Sequence, residues 1–205
     1  MSIIAQSDIS GILPAINKRN TSKIEILLKQ DKKIFHTKDL ELLWGIANKS
    51  TLHTVILRYA QKKILIPIYR GFYTTVPLEK INPIELGASA IHNYAYLSTE
   101  TVLSQSGIIF QSIEAYTFCS GKSKKIRING NIYMSRQLKD EYLYNTEGII
   151  DKGNYKIATP ERAVADMLYF NPKYYFDAKD QINWDKVADI NRVCYSVIKK
   201  GVYKK

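Results

Sequence analysis

Cysteine is nearly absent from this 205-residue chain. Cys119 and Cys194 are the only two, 75 positions apart and outside any CxxC pair. That excludes a disulfide framework and a cysteine-based zinc module, and makes reducing cytosol the expected compartment. Histidine is as scarce: His36, His53 and His92 share no metal-ligand spacing, and neither HxxxH nor HExxH occurs. No metal and no cofactor is therefore expected. Long apolar runs are missing too. The longest, Ile64-Leu65-Ile66-Pro67-Ile68, is too short to span a bilayer, so no membrane partner is expected. Residues 1–20 carry Gln6, Asp8, Asn17, Lys18 and Arg19, the wrong pattern for a secretory signal.

Catalytic signatures are equally wanting. There is no GxxxxGK[ST], GxGxxG or GxSxG, and no Gly-Ser followed by paired aspartates as in a metal-dependent nucleotidyltransferase. Asp140, Glu141, Glu147, Asp151, Asp166, Asp177 and Asp180 are scattered through the second half. Adjacent Asp140 and Glu141 read as turn charges, and the i, i+4 spacing of Arg162 and Asp166 reads as a helix salt bridge. No catalytic residue is assigned, and the chain is expected not to be an enzyme.

Acidic residues are few as well: 19 Asp+Glu against 30 Lys+Arg, a net charge of +11. A basic chain attracts polyanions, nucleic acid first among them, although surface lysines also serve solubility. The 28 Ile, 15 Tyr and 23 Lys suggest AT-rich coding sequence, which accounts for part of the lysine excess. The excess is uneven: residues 1–80 hold 13 Lys+Arg and 6 Asp+Glu, whereas residues 81–205 hold 17 and 13. A polyanion site is sought first in the N-terminal part.

Hydrophobic patterning divides the chain. After an N-terminal extension, residues 1–21, Ser22 with Glu25 reads as a capping box opening a short helix to about Gln30. Ile34-Phe35-His36 reads as a strand, and Thr37 as the cap of a second helix with Leu40, Leu43 and Trp44 inside. Ile46 to Ser50 lead into a third helix, whose Leu52, Val55, Ile56 and Tyr59 form one stripe. Ile64 to Tyr69, a turn at Arg70-Gly71, and Phe72 to Val76 read as a hairpin. Pro77 and Pro83 bracket an expected linker. Residues 81–205 read as an α+β domain with a small antiparallel sheet. Its helices fall at about 83–92, 98–106, after Thr159-Pro160, and from Trp184 to about Lys199; its clearest hairpin turns at Asn129-Gly130.

The order over residues 22–80 is that of a winged helix-turn-helix. In that architecture the third helix enters a major groove about 12 Å wide and the hairpin reaches the flanking backbone. Its leading turn offers Lys49, Ser50, Thr51, His53 and Thr54 to bases, and no carboxylate falls between Ala47 and Lys63. Lys38, Arg58, Lys62 and Arg70 are the expected phosphate contacts. A second basic run, Lys122, Lys124, Lys125 and Arg127, either extends that positive face along the backbone or is a solvated loop. Two other readings stay open. The unit docks an acidic protein partner, or the chain modifies DNA with Asp166 or Asp140 at a metal.

Three segments resemble the AbiEi-type antitoxins, the regulatory half of bacterial type IV abortive-infection toxin–antitoxin systems. They are Tyr69-Arg70-Gly71-Phe72-Tyr73, the stretch from Tyr96-Leu97-Ser98 to Gly107-Ile108, and Ala158-Thr159-Pro160-Glu161-Arg162-Ala163-Val164-Ala165-Asp166-Met167-Leu168. Thr101-Val102 and Ser106 depart from the family's usual Ser-Ala and His. The resemblance implies a cytoplasmic, two-domain protein whose winged domain binds inverted repeats in its own promoter and represses transcription. It further implies that the second domain counteracts a nucleotidyltransferase-like toxin without a stable complex between them.

Overall fold

The computed structural model describes residues 22–195. The extension at 1–21 and the continuation of the last helix toward Lys199 lie outside the described residues. Mixed α+β structure runs throughout. Among the described residues no helix is long and apolar enough to cross a membrane.

The first unit is built from helix α1 (Lys23–Leu28), strand β1 (Ile34–His36), helices α2 (Thr37–Trp44) and α3 (Lys49–Gln61), and strands β2 (Ile66–Tyr69) and β3 (Phe72–Thr74). The strands make an antiparallel sheet in the order β1-β3-β2, with His36 opposite Phe72 and Ile34 opposite Thr74. Ser22 caps α1, but Glu25 turns outward to Lys29 at 2.7 Å, so only half of the expected capping box forms. The cap of α2 is His36 rather than Thr37. Its Nδ1 accepts the Lys38 N–H at 3.2 Å, and the Asp39 carboxylate accepts the His36 N–H at 2.8 Å. Thr37 instead sends its N–H and its hydroxyl to the Gly71 carbonyl, at 2.8 and 3.2 Å. The α3 helix begins before the position expected from hydrophobic spacing, because Asn48 caps it by accepting the Thr51 N–H at 3.0 Å. Lys49 and Ser50 thus belong to its first turn.

Leu27, Phe35, Leu40, Trp44, Leu52, Ile56 and Leu65 form the core of this unit. Ile34 and Phe72 face the other way and join the larger core of the second unit. The stretch between Pro77 and Pro83 is no extended linker: it is a 3-10 turn, Leu78–Lys80, followed by the buried Ile81.

The second unit contains helices α4 (Pro83–Ile91), α5 (Thr99–Gln105), α6 (Asp140–Leu143), α7 (Pro160–Phe170) and α8 (Trp184–Cys194). Its strands are β4 (Ala95–Leu97), β5 (Ala115–Ser120), β6 (Lys124–Ile128), β7 (Asn131–Gln137), β8 (Ile149–Asp151) and β9 (Lys156–Ala158). The Asn129-Gly130 turn joins β6 to β7, both residues having positive φ (47° and 80°), the geometry that a tight two-residue hairpin demands. The sheet is larger than expected and is not purely antiparallel. Six strands run in the order β6-β7-β5-β4-β9-β8, with β5–β7 and β4–β9 parallel. Parallel neighbours are joined by crossovers rather than tight turns, so no local turn signal announces them. Helix α4 lies against this sheet at Gly87, where a Cβ would stand 2.3 Å from the Tyr133 ring.

A fully buried ion pair organises the remaining helices. Thr159 caps α7 and Pro160 takes its first position, which sets Arg162 and Asp166 one turn apart on the inward face, both 0% exposed. Arg162 Nε donates to Asp166 at 2.8 Å. Its other nitrogens reach the carbonyls of Tyr142, Asn145 and Glu147, the Tyr96 hydroxyl and the Cys194 sulfur. Asp166 accepts in addition from Ser98 Oγ at 2.6 Å and from the Tyr195 hydroxyl. One side chain therefore ties α7 to β4, to α6 and the loop after it, and to α8.

Candidate nucleic-acid interface

The exposed side of α3 is set by what its other side buries. Leu52 and Ile56 are buried, with Val55 and Tyr59 partly covered beside them. Lys49, Ser50, Thr51, His53, Thr54, Leu57, Arg58 and Gln61, with Lys62 at the C-cap, face solvent, and Ala60 is partly covered. No Asp or Glu occurs anywhere from Leu42 to Leu78, a longer acid-free stretch than the one from Ala47 to Lys63. Lys49, Arg58, Lys62 and Arg70 form no ion pair with any described residue. The nearby Lys29 and Lys32, in contrast, are held by Glu25 and Asp39. Lys49, Arg58 and Lys62, with no acid in the same stretch of chain, leave this face positive, and Arg70 adds a cation on the β2–β3 turn.

Two of the expected base-reading hydroxyls are already engaged. Thr51 Oγ1 donates to Asn48 Oδ1 at 3.2 Å, and Thr54 Oγ1 donates to the Ser50 carbonyl at 3.0 Å. Each retains acceptor capacity and a methyl group, but its proton is spent within the helix. The donors left at the leading end are Lys49, Ser50 and His53. Sequence reasoning missed three neighbours on the same face: Asn48, which caps it; Gln61, at its far end; and Leu57, an exposed leucine amid polar groups (48% exposed). The signal for Leu57 was its position, off the buried stripe and three residues after Thr54.

The β2–β3 turn is tied down rather than free. Gly71 has φ of +71°, and its carbonyl receives both Thr37 bonds. This sets the exposed Arg70 and Tyr69 beside the start of α2, where Lys38 is also exposed. Lys38 and Arg70, distant in sequence, are thereby neighbours through Thr37 and Gly71.

The second basic run divides. Lys125 and Arg127 alternate outward on β6, with Ile126 and Ile128 buried between and after them. Lys124 Nζ donates to the Ala90 carbonyl at 3.0 Å, where the lysine complements the C-terminal end of α4. Because β6 is the edge of its sheet, lysines there also discourage pairing with another chain. Lys122 lies in the exposed loop before the strand.

Asp166, Cys119 and Cys194 lie in the interior. Asp166 is enclosed by Arg162, Ser98, Tyr195 and Cys119 and has no solvent access. Burial works against the Arg162 charge, but Asp166 and the phenols of Tyr96 and Tyr195 outweigh it and hold the guanidinium protonated. Burial, then Asp166, pushes the Cys119 thiol well up, and burial raises that of Cys194, so neither is a ready thiolate. Asp140 is an exposed first-turn residue of α6. Among the described residues no three His, Cys, Asp or Glu gather in a group able to hold a metal ion.

The chain matches no known family model and no curated protein.

Proposed function

We propose that this protein is a DNA-binding transcriptional autorepressor and antitoxin of the AbiEi type, acting without enzymatic chemistry of its own. In this reading residues 22–80 are a winged helix-turn-helix: α2 braces α3, α3 enters the major groove, and the Arg70-Gly71 turn is the wing tip. The observation that carries it is the exposed side of α3, a cationic surface with no carboxylate in its own stretch of chain from Leu42 to Leu78 and no ion-pair partner for its charges among the described residues. Lys49, Ser50 and His53 approach base edges, with Thr51 and Thr54 contributing methyl and acceptor contacts. Arg58, Lys62, Arg70 and Lys38 neutralise phosphates. The second unit counteracts the nucleotidyltransferase-like toxin without a stable complex. That part rests on the resemblance of the Ala158–Leu168 and Tyr96–Ile108 segments alone.

Salt-dependent binding to operator duplex, tighter than to a scrambled duplex, separates this reading from the docking of an acidic protein. The chain binds a duplex carrying the inverted repeat upstream of its own gene more tightly than a scrambled duplex, and affinity falls steeply as salt rises. Arg58→Ala or Arg70→Ala weakens binding on every duplex, and each lowers the log–log salt slope by about one. A titration in which both variants keep wild-type affinity and slope removes these residues from the interface.

A further inference from the structure

The two units meet through a pair of imidazoles. His36 lies on the sheet of the first unit, and His92 caps α4 of the second in the left-handed region, with φ of +58°. Their ring centroids are 3.9 Å apart with planes 33° from parallel. Phe72 completes the cluster, 4.8 Å from His36 and edge-on to His92 at 5.5 Å. The rings border a cleft that Ile34 and Ala88 also line.

His36 has three roles here, and the first two need the ring neutral. Its Nδ1 accepts the Lys38 N–H, so that nitrogen must carry a lone pair. It stands at the start of α2, where the helix dipole disfavours positive charge. It also backs the β2–β3 turn, since a Cβ placed on Gly71 would lie 3.5 Å from His36 Nε2. We propose that the His36–His92 stack is a proton-sensitive latch holding the Arg70-Gly71 turn and the start of α2 in their DNA-binding arrangement, and that protonation of His36 opens it. The consequence for DNA rests on the winged-helix reading above; the latch itself does not.

The charges around His36 set the direction. Burial is the largest effect and disfavours the imidazolium; His92, Lys38 and Lys32 act the same way, and Asp39 alone opposes them. The proton affinity of His36 is therefore below its ordinary 6.5. For a base depressed in this way, the stability carried by the neutral ring is complete above 6.5 and is lost as pH falls through the lower folded value. Asp39 itself is held below the usual carboxylate range by Lys32 and the His36 N–H despite its burial, so it stays charged through this window. Added positive charge ordinarily tightens binding to phosphate, and the latch predicts the opposite sign on acidification.

The test pairs NMR of the histidine rings and backbone amides with anisotropy titrations on a labelled mixed-sequence duplex of about 30 base pairs at low salt. On acidification from about pH 7.5 through the His36 midpoint read by NMR, the wild-type chain should lose about fivefold in affinity, the factor that goes with one helix cap. His36→Asn keeps a cap acceptor that does not titrate, and its affinity should hold or rise over the same range. In the protein without DNA, the Lys38 and Gly71 amides should shift with His36 titration, and His92→Asn should move that midpoint up. A wild-type affinity that rises on acidification, or a His36→Asn profile matching wild type, overturns the latch. So do Lys38 and Gly71 amides that ignore His36 protonation. If no duplex is bound at any pH yet those amides follow His36, the DNA-binding reading fails and the latch stands.

Discussion

Replacing Arg162 by Met should destabilise the chain by about 3–5 kcal/mol, a large part of the 5–15 kcal/mol that holds a domain together. The substitution removes every bond from α7 to β4, α6 and the loop after it, and Cys194 that the guanidinium makes. It also strands the Asp166 carboxylate in a site with 0% exposure, with only hydroxyls and a thiol left to donate. Arg162→Lys should restore little, because an ammonium cannot span the planar fork that addresses six acceptors at once. The double variant Arg162→Met, Asp166→Leu should be more stable than Arg162→Met alone, since it removes the uncompensated charge. Urea unfolding of the three variants measures this. A single variant within about 1 kcal/mol of wild type would show the pair to be dispensable.

The second large effect belongs to α3. Reversing two of its exposed charges together, Lys49→Glu with Arg58→Glu, should cost about a hundredfold or more in duplex affinity. Both side chains are exposed and outside every ion pair among the described residues, so the melting temperature should change by only about a degree or two. Affinity and stability are thus expected to separate in this variant, whereas Arg162→Met changes stability first. If Lys49→Glu with Arg58→Glu binds duplex like wild type, the exposed face of α3 is not the contact surface.

The contrast between the two residue sets shows what could be read along the chain. Local signals held where neighbours in sequence decide the outcome: the Leu52–Tyr59 stripe, the Asn129-Gly130 turn, and Thr159-Pro160 at the start of α7. The i, i+4 spacing of Arg162 and Asp166 correctly announced an ion pair. It carried no sign of burial, because an arginine is placed in a core only when distant carbonyls converge on it. The parallel pairings β4–β9 and β5–β7 were hidden for the same reason, since each unites strands whose pairing no local turn reveals. The choice of His36 over Thr37 as cap depended on where Gly71 offers its carbonyl. In the candidate interface, exposure and the missing carboxylates were legible. The internal bonds of Thr51 and Thr54 and the tethering of Arg70 beside Lys38 were not.

The most direct check on the DNA-binding account is a map of backbone amide shifts as a duplex is added to the intact chain. The largest changes should fall on Lys49 to Arg58 and on Arg70-Gly71, with α7 and α8 unmoved. Changes confined to β6 and β7, leaving α3 untouched, would contradict it.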